Sequence, residues 1–306
     1  MDLRHLHYFV AVAEELHFGR AAQRLHMAQP PLSQQIRQLE DELEVQLFYR
    51  TKRHVQLTEV GQVFLQEARQ TLAQAEQAIN VARRASRGEL GRLAIGFVGS
   101  ATYEILPLLI RRFHDQYPDV ELQLREFTTS QQVRALLNGH IHAGLLRPPV
   151  HERSLHVMPL LKEPLVVALP FNHPLTEQAL LPIESLAREH FILFPRSQGP
   201  GFYDQIISLC QQAGFSPQVI QEAIQMQTIT GLVATGLGIS LIPASAQHLR
   251  NAGVAYRPLL PATVHIEMAL AWHKEEPSPV LQAFLSIVKE VIQQANFSTE
   301  GTSEII

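Results

Sequence analysis

Apolar residues recur at helical spacing through the first sixty positions. Leu3, Leu6, Phe9, Val10 and Ala13 mark one face of a first helix. Phe18 to Leu25 reads as a second, whose Ala21, Ala22 and Leu25 are small enough for close packing. Pro30 and Pro31 then interrupt. Prolines suit a helix's first turn, where the missing N–H groups have no intrahelical partner. A third helix follows from Leu32 to Glu40, with Leu32, Ile36, Leu39 and Leu43 as its buried stripe and Ser33, Gln34 and Arg37 on the other side. Between Leu47 and Thr58, two β-like runs flank a basic tip, Arg50-Thr51-Lys52-Arg53-His54.

The pattern changes at Thr58. From there to Arg87 runs one long helical stretch with heptad spacing: Leu65, Leu72 and Ile79 in one set, Ala68, Ala75 and Ala82 in the other. The sets interleave as a and d positions of a coiled coil. The stripe can serve as a dimer seam or pack on the helix's own domain. Alternating large and small residues and Gln/Glu-rich flanks favour the seam, with Leu65, Ala68, Leu72, Ala75 and Ile79 at the dimer contact. Arg87 to Gly91 is the expected hinge.

Beyond Arg92, strands and helices alternate. Strands are expected at Leu93–Val98, Val120–Phe127, Ala143–Leu146, Pro164–Leu169, Phe191–Phe194, Val219–Ile220, Gly238–Ile242 and Val264–Trp272. Helices are expected from Ser100, ending before Pro118, then at Gln131–Asn138, Phe202–Ala213, Gln227–Thr235 and Val280–Gln294. Such alternation predicts parallel α/β sheets. Two runs joined by two crossings predict two lobes with a cleft. The expected organisation is 1–58, a winged helix-turn-helix; 59–88, a dimerising linker helix; 89–296, a two-lobed domain; and 297–306, a disordered tail.

Composition narrows the function classes. At 306 residues, 46% hydrophobic and 18% charged, the chain fits two folded domains. Net charge is −4, but residues 1–90 balance 11 basic against 11 acidic groups, which places the deficit in the rest. Cys210 is the one cysteine, so neither a disulfide framework nor a cysteine zinc site is expected. No signal peptide and no apolar run long enough to span a bilayer are legible, so a cytoplasmic protein without membrane contact is expected.

Candidate chemistry lies in two places. Gln can bond adenine bidentately, Arg guanine, and Ser several base edges, so the outer face of the third helix suits a major groove. Arg50, Lys52 and Arg53 on the wing suit phosphates or a minor groove. In the second domain, Ser100, Thr128-Thr129-Ser130, Arg147 and the loop Ser197 to Phe202, with Pro200, all follow strands. Ligands in open α/β folds bind at such ends. Ser100 can cap a helix or offer its hydroxyl to an anion. Three hydroxyl-bearing strand ends and an arginine suit a carboxylate.

The run from Ala21 to Glu40, with Gln29-Pro30-Pro31-Leu32-Ser33-Gln34 at its centre, resembles the helix-turn-helix of LysR-type transcriptional regulators. Arg50-Thr51-Lys52-Arg53 and Leu57-Thr58-Glu59-Val60-Gly61 resemble their wing and linker start. The resemblance implies base contacts from Gln29, Pro30, Ser33 and Gln34, and backbone contacts from the wing arginines. Many members carry Arg where this chain has Gln34, and Gln cannot make the same double contact to guanine. The resemblance also implies a periplasmic-binding-protein-like effector domain, pairing through linker helices into homodimers or homotetramers, and contact with RNA polymerase. Gly96 to Glu104 is similar to regulators of acetoin operons, and more distantly to those responding to benzoate and muconate. That implies a small organic acid effector, with Ser100, Thr129, Arg147 and Phe202 as contacts, and no cofactor.

The residues bear on two rival classes. An enzyme would need a constellation that the scattered fifteen histidines do not form; no phosphate-binding Gly-rich loop or Ser nucleophile elbow is legible, and no metal site is expected. A secreted solute-binding protein would explain two lobes but not the first ninety residues.

Overall fold

The computed structural model describes residues 1–51, 54–261, 265–275 and 277–300, leaving aside the side chains of 295–300. It forms two compact units, Met1–Arg84 and Ala85–Ile306.

The first unit opens with α1 (Leu3–Glu15), α2 (Phe18–Arg24) and α3 (Gln29–Leu43). Asp2 starts α1 by accepting the backbone N–H groups of Arg4 and His5. Pro30 and Pro31 sit in the first turn of α3, as their chemistry predicts, so the helix starts three residues before the expected Leu32. Leu6, Phe9, Val12, Ala21, Leu32, Ile36 and Leu39 fill the core. Leu3 is 47% exposed and lies off that face. The strands β1 (Phe48–Arg50) and β2 (Val55–Leu57) pair antiparallel as a wing, with Phe48 opposite Leu57. Phe48 returns to the core against Phe9, ring centroids 5.3 Å apart.

Next comes α4 (Glu59–Ser86), begun by Thr58, whose hydroxyl accepts the Gly61 N–H at 2.8 Å. Its stripe divides in two. Ala68 is 1% exposed in the core of the helix-turn-helix, and Leu65 and Leu72 pack against the same cluster. The first half of the expected dimer seam is therefore covered by the chain's own domain. Ala75 is half-buried, and Ile79, on the continuing face, is 52% exposed. Glu14 ties three helices together, accepting from Arg24 at 2.8 Å and Arg69 at 2.7 Å.

The second unit contains β3 (Gly91–Phe97), α5 (Ile105–Gln116), β4 (Val120–Glu126), α6 (Thr129–Leu137), β5 (Ala143–Leu146), β6 (Leu155–Pro170), β7 (Leu181–Pro182), β8 (His190–Leu193), α7 (Pro200–Gln212), β9 (Gln218–Glu222), α8 (Met226–Ala234), β10 (Ser240–Pro243), β11 (Val254–Leu260), β12 (His265–His273) and α9 (Pro279–Glu300). The sheet runs β4-β3-β5-β12-β6-β11-β7, with β10 also on β6. β6 belongs to both lobes: Leu155 to Pro164 pairs with β12, and Leu165 to Pro170 with β10 and β11. The chain crosses once there and again between β11 and β12. Each lobe has its own core, one around Leu93, Phe113 and Phe284, the other around Val167, Phe191 and Ile206.

Several boundaries differ from the sequence expectation. The sheet is mixed: β3 is parallel to β4 and β5, while β12 runs antiparallel to β5 and β6. The helix expected from Ser100 starts at Ile105, after a 3-10 turn over Gly99–Tyr103. Pro258 obscured β11, which meets β6 antiparallel. The closing helix continues to Glu300, past the expected start of the tail. Val264, expected to open the last strand, lies outside the described residues, as do 301–306.

Candidate functional site

The first unit presents one polar face. On α3, Gln29, Pro30, Gln34 and Arg37 are exposed and Ser33 is half-buried. This follows from the stripe: Leu32, Ile36 and Leu39 are buried, which turns these residues outward. A groove of about 570 Å³ lies between this face and the wing. His17, Arg20 and Gln56 line it beside Gln29, Ser33 and Arg37. They escaped the sequence reading because they join the face only through the turn into α2 and the hairpin register.

Arg50, on the wing, lines the same groove. Its guanidinium pairs with Glu40 and lies 5.1 Å from the centre of the Phe18 ring. Glu40 also accepts the backbone N–H groups of Leu47, at 2.9 Å, and Phe48, at 3.1 Å. Arg50 thus locks the wing to α2 and α3, and its charge is matched inside the domain. Lys52 and Arg53 lie outside the described residues.

In the second unit, four expected residues converge between the lobes. Ser100, Thr129, Arg147 and Phe202 line one cavity with Val98, Gly99, Phe194, Gly199, Ile224, Gln225 and Met226. Ser100 caps no helix. Its Oγ accepts from Arg147, from Nε at 3.3 Å and Nη2 at 3.0 Å. The Thr129 hydroxyl accepts the Arg147 backbone N–H at 3.3 Å. The Arg147 guanidinium lies 5.8 Å from the Phe202 ring centre. Pro200 is the exception: it is exposed at the start of α7 and does not line the cavity, whereas Gly199 does. As the first residue of the helix it points away while its neighbours turn inward.

Sequence reading missed the partner of Arg147. Glu163, where β6 crosses between lobes, accepts from Nη2 at 2.8 Å and receives the Ser245 N–H on its other oxygen, also at 2.8 Å. Both side chains are nearly buried. Burial lowers the guanidinium's pKa, and the Glu163 carboxylate opposes it. Glu163 sits in a long strand with no local motif, so only the crossing reveals it.

The lobes touch around this centre. Thr128, which caps α6, also donates to Gln198 Oε1 at 3.1 Å. Gly201 passes so close to Pro148 and Pro149 that a Cβ there would lie 2.5 Å from the Pro149 ring. The enclosed inner space is only about 40 Å³. Beside it, sharing Gly99 and Gln225 as lining, lies an outer space of about 140 Å³ bordered by Glu126, Phe127, Thr128 and Gln131. Tyr103, packed against the second lobe's core, has its phenol pushed up to about 12, first by burial and then by the Glu126 carboxylate. Pro200 has no N–H, so of the first turn of α7 Gly201 and Phe202 keep N–H groups without an intrahelical acceptor. Two hydroxyls beside a buried, paired guanidinium form a setting for a small anion. Burial raises the Cys210 thiol to about 11, which suits a packing residue. Among the described residues, no group of three or more His, Cys, Asp or Glu could hold a metal ion.

Comparison with known proteins identifies both parts of the chain. Residues 3–62 match the family model described as bacterial regulatory helix-turn-helix protein, lysR family, and residues 86–293 match the LysR substrate binding domain. The HTH-type transcriptional regulator AlsR of Bacillus subtilis is 46% identical over 287 residues, covering 94% of this chain and 95% of AlsR. The regulator IlvR of Caulobacter vibrioides is 42% identical over 293 residues, covering 95% and 98%. Among solved structures, full-length CbnR complexed with its target DNA superposes with a TM-score of 0.83 at 30% identity, covering 95% of this chain and 100% of CbnR. Both domain models together span nearly the whole sequence, and the chain belongs to the LysR family of transcriptional regulators.

Proposed function

We propose that this regulator binds operator DNA through Gln29, Pro30, Ser33, Gln34 and Arg37, and that a small organic acid in the interlobe cleft controls it. The parts are a DNA-binding domain over 1–58, a linker over 59–88 and an effector domain over 89–296. CbnR, solved on its target DNA, supports the first part. The likeness to AlsR and the run Gly96 to Glu104 support placement near regulators of acetoin operons.

The observation that carries the effector reading is the convergence of Ser100, Thr129, Arg147 and Phe202, from separate segments and both lobes, on one cavity. A carboxylate there would take the Ser100 and Thr129 hydroxyls. Arg147, its charge matched by Glu163, would act by holding the Ser100 oxygen so that the hydroxyl hydrogen is left for the carboxylate. The 40 Å³ inner space requires the lobes to part for entry and close afterwards.

Closure shifts the regulator only by the acid's differential affinity for the two states, about 1–3 kcal/mol. The protein works in the cytoplasm as a homodimer or homotetramer and contacts RNA polymerase. The exposed second half of the α4 stripe, around Ile79, supports pairing between copies.

Calorimetry on the full chain tests the effector site. Acetate, benzoate and muconate are titrated into wild type, Ser100→Ala and Thr129→Val. Each variant is expected to lose about 1 kcal/mol or more of affinity for the acid that binds. Equal binding to all three proteins would contradict the site.

A further inference from the structure

The outer cleft holds an acceptor pair that an acid group alone leaves unused. Glu126 ends β4 in the first lobe, and Gln225 precedes α8 in the second. A Cβ at Gly99 would lie 2.8 Å from Glu126 Oε1 and 3.0 Å from Gln225 Oε1. Both oxygens therefore approach the same Cα from the two lobes, closer than a side chain at position 99 would permit. Gln225 can turn its amide to present either atom, whereas an ionised Glu126 can only accept. Val98, Phe127, Phe194 and Ile224 form apolar walls around the outer space.

The chemistry of the two ends differs. At Ser100 and Thr129 the cleft offers hydroxyls beside the compensated Arg147–Glu163 pair; at Glu126 it offers a carboxylate uncompensated among the described residues. Gly99 and Ser100 are adjacent, so their Cα atoms are about 3.8 Å apart. A molecule spanning both ends is short.

Building on the organic-acid reading above, we propose that the effector is a short monocarboxylate bearing a hydroxyl on its second or third carbon. Its carboxylate faces Ser100 and Thr129, and its hydroxyl donates to Glu126 above Gly99. Glu126 thereby selects against dicarboxylates of the same length, whose second charge would face its own. A donor held between Glu126 and Gln225 also joins the two lobes, so this group would favour closure directly.

The test uses the full chain and two matched sets of acids: propionate, lactate and malonate; butyrate, 3-hydroxybutyrate and succinate. Calorimetry should show a hydroxy acid binding roughly tenfold tighter than its parent acid, the scale of one hydrogen bond to a charged group, with the diacid weakest. In Glu126→Gln, the hydroxy-acid preference should shrink and the diacid should gain. Glu126 is exposed, and a melting curve for the variant confirms that its fold is kept. A diacid that binds as well as the hydroxy acid, or preferences unchanged in Glu126→Gln, overturns this inference but leaves the organic-acid cleft standing. If no acid in either set binds, and acetate, benzoate and muconate also fail, the organic-acid reading falls and this inference with it.

Discussion

Arg147 donates from Nη2 to Glu163 Oε1 at 2.8 Å, with side-chain exposures of 7% and 11%. The pair joins the end of β5 to the strand that crosses between lobes, and Glu163 reaches on to the Ser245 N–H. Removing one member of a buried pair leaves an uncompensated charge and costs about 3–5 kcal/mol. Glu163→Gln should lower the effector domain's unfolding free energy on that scale. Converting both residues to Met should recover much of the loss. Urea unfolding of the full chain, followed through the effector-domain transition, reads both. A Glu163→Gln domain as stable as wild type would show that the pair does not hold the cleft.

Arg50 and Glu40 should act as a unit. Arg50→Ala and Glu40→Ala should each weaken DNA binding by freeing the wing, and the double variant should be little worse than either. The coupling expected for such contacting residues is about 0.5–3 kcal/mol. Arg37→Ala should behave differently: if Arg37 meets a phosphate, its loss reduces the salt slope of binding by about one. Additive losses from Arg50 and Glu40 would return Arg50 to a direct DNA contact.

Self-association should depend on the exposed half of α4. Ile79→Asp places a charge where a second copy is expected to pack, and sedimentation should show weakened dimers. Leu72→Asp should instead unfold the DNA-binding domain, because Leu72 packs on the chain's own core. Unchanged assembly in Ile79→Asp would move the dimer contact off this stripe.

The effector domain should lose stability in mild acid. His142 Nδ1 accepts the Ala94 N–H at 2.9 Å, and burial, then Arg92, lowers the imidazole's pKa from its ordinary 6.5. The folded chain therefore favours the neutral ring. Its contribution is present above the unfolded value and is lost as pH falls through the lower folded one. The effector-domain melting temperature of wild type should fall more steeply than that of His142→Asn between about pH 8 and about pH 5. Parallel curves would remove His142 from the acid response.

Local chemistry made much of this legible. The Pro30–Pro31 first turn, the buried stripe of α3 and the fully buried Ala143–Leu146 strand all declare themselves in short windows. Ser100, Thr129, Arg147 and the loop to Phe202 follow strands, whose ends face the cleft in such folds, and the family resemblance implies these four as contacts. What sequence hid depends on distant partners. Leu65, Ala68 and Leu72 carry the same heptad signature whether they meet another chain or their own domain. Arg50 reads as a basic tip until Glu40 and Phe18 are seen around it. Glu163 gains meaning only when the crossing strand β6 brings it to the cleft, and Glu126 only when the end of β4 is seen beside Gly99.

The central claim is that a small acid held at Ser100 and Thr129 changes how this regulator sits on DNA. Footprinting the full chain on its operator, with and without the acid found by calorimetry, measures this directly. Wild type should change its pattern of protection or hypersensitive, bent positions when the acid is added. Thr129→Val should bind the same DNA yet need more acid for the same change. A footprint that does not respond to a bound acid, or responds identically in both proteins, would contradict the account.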